Sequence, residues 1–186
     1  MHRGVYDRTR HRAIWKVLPD RWKPGHVYGV AQWLAAANRT PLRTKLALHT
    51  NFPRDELVQA YMAADLFVFA SNIEYSPLVL YEAAAAGTPF LTVPVGNAEE
   101  IARWTGAGVL CPAAKDERGY TRADPAVLAS AIAELAADPA RLRALGRTGR
   151  QRWQANFTWQ VIAGRYEAIL AGQAQPCGTM VLKETS

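Results

Sequence analysis

Cysteine is scarce: the 186-residue chain has two, Cys111 and Cys177, far apart and without a metal-binding spacing. Both are expected to be free thiols in a reducing compartment, so neither a disulfide scaffold nor a zinc site is predicted. The four histidines, His2, His11, His26 and His49, have no paired spacing and no neighbouring nucleophile motif. Surface or structural roles are expected for them. There is no Walker loop and no dinucleotide fingerprint. No apolar run reaches the ~18 to 20 residues of a membrane span. The N-terminus is charged without a following apolar core, unlike a secretory signal, which leaves the cytoplasm as the default location. No internal repeat of convincing length is present.

What is present suits one α/β domain. Hydrophobic residues make up 49% of the chain, enough at this length for a single core. The net charge of +6 is unevenly placed. Residues 1–45 hold ten basic residues against Asp7 and Asp20, whereas the rest of the chain holds twelve against fourteen acids. This basic segment is read first as a solvated arm. An acidic membrane surface, a diphosphate or an acidic partner domain are its other candidate targets. Nucleic acid is disfavoured because no binding motif accompanies the charge, although Trp15 and Trp22 stand among the cations.

The chain is organised around residues 64–96, ADLFVFASNIEYSPLVLYEAAAAGTPFLTVPVG. Residues 66–70 read as a buried strand, followed by a polar loop. A helix then begins with Ser76 as its cap and Pro77 in its first position, and stops at Gly87. Thr88 and Pro89 turn the chain into a strand over 90–93, so the two strands are expected to be parallel, with the loop at 71–77 at their carboxyl ends. Glu74 lies in that loop and Glu82 in the helix, with seven residues between them. Helical side chains lean toward the N-terminus, so Glu82 can reach back to the helix start, and its two oxygens suit a vicinal diol. Free amides at Leu78 and Val79 would welcome a phosphate. Two ordinary solvated carboxylates would fit the spacing as well.

Elsewhere, helices are predicted over 8–18 and 27–37. A strand starts near 46–48, and a helix from Pro53 carries a buried stripe of Leu57, Ala60, Tyr61 and Ala64. Gly96 is read as a turn or close-approach glycine and Asn97 as the cap of a helix over 98–104. Residues 109–111 are predicted to be the last strand and 112–124 a polar loop. A helix over 125–136 should bury Val127, Leu128, Ile132 and Leu135. The next, opening at Pro139, should hold Arg141, Arg143, Arg147, Arg150 and Arg152 on a solvated face. Thr158 should cap a final helix over 159–170 burying Val161, Ile162, Tyr166, Ile169 and Leu170, before a loose tail from 172.

Residues 64–101, with PRDELVQAYMAA before them and Phe157-Thr158-Trp159 after, resemble the nucleotide-sugar-binding half of group 1, or family 4, retaining glycosyltransferases. The signature is Glu, seven residues, Glu-Ala, and the resemblance covers about residues 45–171. It implies a doubly wound parallel sheet flanked by helices, one Rossmann-like half of a GT-B fold. The implied domains are a basic segment at 1–44 forming an incomplete start, a donor-binding domain at 45–171 and a flexible tail at 172–186. It also implies sugar transfer from a nucleotide-diphosphate donor to an acceptor hydroxyl with retention, independent of metal and of any cofactor. By the same resemblance Glu82 holds ribose, Glu74 acts at the donor sugar, and amides at the helix start receive the diphosphate. Many members carry Gly-Phe-Gly where this chain has Tyr75-Ser76-Pro77, which shifts phosphate contacts to Leu78, Val79 or the Ser76 hydroxyl. Lys23 is similar to the family's diphosphate-binding lysine. Because acceptor binding belongs to another domain, the chain is expected to be a fragment or split-enzyme subunit with little turnover alone. A non-catalytic nucleotide-binding or protein-interaction module on this fold is the alternative.

Overall fold

The computed structural model describes residues 14–15, 48–49 and 53–173. Lys23, the helix expected over 27–37, Cys177 and the end of the tail lie outside the described residues. The chain divides into two units, Met1–Ala64 and Asp65–Ser186.

In the first unit, β1 (Ile14–Trp15) pairs in parallel with β2 (Leu48–His49). This corrects the helix predicted over 8–18 at Ile14 and Trp15, the rest of that span lying outside the described residues. Ile14 and Trp15 are residues that favour extended backbone, and a partner strand outweighs the local helical spacing. Helix α1 (Arg54–Ala63) buries Ala60 and Tyr61 of its predicted stripe, whereas Leu57 and Ala64 are only half-buried.

The second unit is built on a parallel sheet ordered β3 (Phe67–Phe69), β4 (Phe90–Thr92), β5 (Gly108–Leu110). The central strand is buried along its whole length, which is why its sequence is apolar without alternation. Helix α2 (Leu78–Ala86) crosses from β3 to β4 and α3 (Ala98–Thr105) from β4 to β5. Each ends at a left-handed glycine, Gly87 with φ 77° and Gly106 with φ 64°. Helix α4 (Pro125–Ala136) is capped by Asp124, whose carboxylate accepts from the amides of Ala126 and Val127. Leu135 is buried inside it, but Val127 is exposed, contrary to expectation.

Two elements differ from the sequence reading. Residues 112–124 are not a bare loop: β6 (Ala113–Lys115) and β7 (Thr121–Ala123) form an antiparallel hairpin, so β5 is not the last strand. The arginines of α5 (Pro139–Asn156) do lie on a solvated face, with Arg141, Arg143, Arg147 and Arg150 exposed and Arg152 half-buried, but two of them also make bonds that the sequence did not show. Arg150 donates to the carbonyl of Ala85 and Arg152 to that of Arg103, so two guanidinium groups satisfy the carbonyl ends of α2 and α3, where the helix dipoles favour cations. Gly146 and Gly149 let α5 approach this closely, since a Cβ on Gly146 would lie 2.2 Å from the Gly87 carbonyl oxygen.

Thr158 caps α6 (Trp159–Leu170) as predicted, accepting from the Val161 amide. None of its residues is buried, however, and Tyr166, Ile169 and Leu170 are exposed. Helical spacing defines an apolar side but not what covers it. Among the described residues, no helix is long and apolar enough to cross a membrane.

Candidate functional site

The carboxyl ends of β3 and β4 open into two loops that meet. The first, residues 70–77, carries Glu74, half-buried, with Tyr75 and Ser76 exposed beside it. It delivers the chain to α2 one residue later than predicted. Pro77 occupies the cap position with ψ 95° rather than the first helical position, and Ser76 makes no capping bond. The extended backbone at Pro77 sets Ser76 too far back to serve as the cap. Leu78 and Val79 thus head the helix with amides that have no carbonyl a turn earlier to bond. No acidic residue sits in the first turn of α2, so its partial positive charge is not offset there. Glu82, half-buried, follows at the fifth position. Glu74, Ser76, Leu78, Val79 and Glu82 therefore share one loop–helix junction; Lys23 lies outside the described residues.

The second loop, residues 93–97, grips the first through its backbone. Gly96 has φ +54°, and a Cβ there would lie 2.4 Å from the Tyr75 carbonyl oxygen and 2.6 Å from that of Glu74. The Asn97 amide donates to the Tyr75 carbonyl at 3.0 Å. Asn97 stands at the cap of α3, but its side chain makes no capping bond, and its buried Oδ1 has no partner. Both readings of Gly96 hold: it is a turn residue and a point of close approach.

The hairpin missed in the sequence braces the Glu74 loop from the other side. The Thr121 amide donates to the Asn72 carbonyl at 3.0 Å. With the Asn72 amide oriented to satisfy its neighbours, its nitrogen donates to the Thr121 carbonyl and its oxygen accepts from Arg122, both at 2.9 Å. Arg122 in turn forks onto Asp116 through Nε and a terminal nitrogen, each at 2.9 Å. Asp116 also accepts from the amides of Tyr120 and Arg118, which close the hairpin.

Hydrogen bonding from the Tyr120 amide, then from Arg122 and the Arg118 amide, holds the Asp116 carboxyl below the usual carboxylate range. A depressed carboxylate contributes stability above its unfolded value, about 3.9, and loses it as pH falls through the folded value. The hairpin is accordingly expected to loosen from Asn72 only below about pH 4. Amide exchange at Thr121 measured by NMR checks this, and equal protection at pH 6 and pH 2.5 would contradict it.

On α2, the Tyr81 ring packs on Phe157 at 5.0 Å between centroids. Burial, and secondarily the charge of Glu100, push its phenol up to about 12, so it keeps its proton at neutral pH. Cys111 is a buried free thiol, raised by burial and by the Asp124 charge, which makes it a poor nucleophile. Ile73, Tyr75 and Leu78 present exposed apolar surface around Glu74.

The family model described as glycosyl transferases group 1 matches residues 31–152. A glycogen synthase from Mycobacterium tuberculosis is 33% identical over 92% of this chain and 42% of its own length. A D-inositol 3-phosphate glycosyltransferase from Thermobispora bispora is 38% identical over 63% of this chain and 25% of its own length. Among solved structures, a sucrose-phosphate synthase from Thermosynechococcus elongatus superposes with a TM-score of 0.61 at 27% identity, covering 87% of this chain and 37% of that one. The chain thus spans less than half the length of these relatives.

Proposed function

The chain belongs to the group 1 glycosyl transferases, and from that premise we propose that it is the donor-binding half of a retaining enzyme of the GT-B type. The observation that carries this reading is the uncapped start of α2, with Glu74 immediately before it and Glu82 in its second turn. In this reading Glu82 accepts hydrogen bonds from the ribose diol of a nucleotide-diphosphate sugar. The Leu78 and Val79 amides and the Ser76 hydroxyl receive the diphosphate. Glu74 orients the donor sugar at the reacting carbon. As the glycosidic bond to the diphosphate breaks, negative charge grows on the leaving group. Fixed amides and the helix dipole already point there, so that charge is stabilised without reorganisation, which is electrostatic catalysis independent of metal or cofactor.

The acceptor hydroxyl takes the sugar with retention of configuration, and the acceptor pocket is assigned to a further domain or partner subunit. The chain spans 42% of the glycogen synthase it resembles, and the names of its relatives point to different products, which supports placing acceptor choice outside the donor half. Little turnover is accordingly expected of this chain alone.

Calorimetric titration with UDP, GDP and ADP tests the reading. One nucleotide should bind. Glu82→Ala, which removes two hydrogen bonds to a charged group, should weaken it about 10- to 100-fold. Absence of binding to all three would instead favour a non-catalytic interaction module on the same fold.

A further inference from the structure

Helix α5 carries a feature with no part in the donor site. Arg143, Arg147 and Arg150 recur at spacings of four and three, which places them on one stripe spanning roughly 10 Å of helix axis. Together with Gly87 and Gly146 they line an open cleft of about 420 Å³. Its floor is glycine by necessity, because α5 crosses the Gly87 carbonyl too closely for a side chain on Gly146. The stem of Arg150 lies over Gly87, and its guanidinium is fixed by the Ala85 carbonyl.

The charge of this cleft is uncompensated. None of its lining residues is acidic, and among the described residues no carboxylate lies within 4.0 Å of Arg143, Arg147 or Arg150. Arg141, on the same helix but outside the cleft, does pair, with Glu134 at 3.1 Å. General basicity does not explain the cluster, because residues 46–186 hold more acids than bases. Like charges four and three residues apart on a helix repel one another, and an external anion would relieve that.

We propose that the cleft binds a phosphoryl-bearing anion. Guanidinium forks match phosphate oxygens in pairs, and Gln151 and Gln154 on the rim add neutral donors for the ester or hydroxyl part. Arg150 already serves the carbonyl end of α2, so Arg143 and Arg147 are the principal contacts. The site is separate from the donor junction: it lies at the C-terminal end of α2, a nine-residue helix about 13 Å long, whereas Glu74 and the Leu78 and Val79 amides lie at its start. The proposal does not depend on the donor reading.

The test is a titration of the ¹⁵N-labelled chain with inorganic pyrophosphate, followed by NMR. The Nε–H signals of Arg143 and Arg147 report this cleft, while the Leu78 and Val79 amides report the donor junction in the same spectrum. A parallel arm measures cosedimentation with phosphatidylglycerol and phosphatidylcholine vesicles, which separates a lipid headgroup from a free anion. Saturable shifts at the arginines are expected, weakened about tenfold or more by Arg147→Gln read at Arg143. They should be unchanged by Glu82→Ala and by the charge-matched pair Lys115→Gln and Arg118→Gln. If the substitution Arg143→Gln with Arg147→Gln weakens only phosphatidylglycerol binding, the headgroup is the source. The proposal is overturned if neither arm responds to that substitution, or if the charge-matched pair weakens binding as much.

Discussion

Replacing Phe90 with alanine should cost about 3–5 kcal/mol, the range for a large aromatic removed from a packed core. The ring is fully buried on the central strand, and the register pairs Phe90 with Phe67 on one side and Gly108 on the other. A Cβ on Gly108 would lie 2.3 Å from the Phe90 ring and 2.6 Å from the Ala102 methyl, so the ring occupies the space that the glycine leaves. Truncating it opens a cavity bounded by β5 and α3, and β5 cannot move in without breaking the ladder. Urea unfolding reads the effect: at a typical slope of about 2 kcal/mol/M, the midpoint should fall by roughly 1.5–2.5 M. Gly108→Ala should destabilise by overpacking alone, and the double variant should be less damaged than the two losses added together, because the new methyl enters the vacated space. A loss under about 1 kcal/mol for Phe90→Ala would contradict this packing.

The Phe90–Gly108 pair also shows where the sequence is readable. Features set by a few neighbouring residues are legible in it: the buried run of β4, the stop at Gly87, and the Thr158 cap. So is the Glu74–Glu82 spacing, since three consecutive elements fix it. Features that depend on distant chain segments are not. Strands of three residues, Ala113–Lys115 and Thr121–Ala123, are too short to show alternation, and they are held through Thr121 by Asn72, 49 residues upstream. Their turn did leave a trace in Asp116 and Gly119, where the Gly119 amide returns to the Asp116 carbonyl and φ is +77°. The docking of Arg150 and Arg152 on neighbouring helices was hidden because it depends on the glycine contacts that let α5 approach. At α2, the proline start was legible, but whether Pro77 stands inside the helix or at its cap depends on a single ψ angle.

Gly96→Ala should separate the two functions assigned to the donor junction. Its φ of +54° is strained for alanine, and the added methyl would stand 2.4 Å from the Tyr75 carbonyl oxygen and 2.8 Å from its carbonyl carbon. These are backbone atoms, so no side-chain rotation relieves the clash, and the loop carrying Glu74 must move, weakening the bond from the Asn97 amide. Gly119→Ala is the control: φ there is +77°, but nothing lies within 4 Å, so it pays for strain alone, about 1–2 kcal/mol. Gly96→Ala should cost about 1–3 kcal/mol more than that control in stability. Glu82 is fixed in α2 and keeps its place, whereas Glu74 moves with the loop. Affinity for a nucleotide-diphosphate sugar should therefore fall about tenfold further than affinity for the bare nucleotide diphosphate. Calorimetry with both ligands on both variants measures this. An equal loss for the two ligands would assign Glu74 no part in holding the sugar, and unchanged binding of both would place the donor away from this loop.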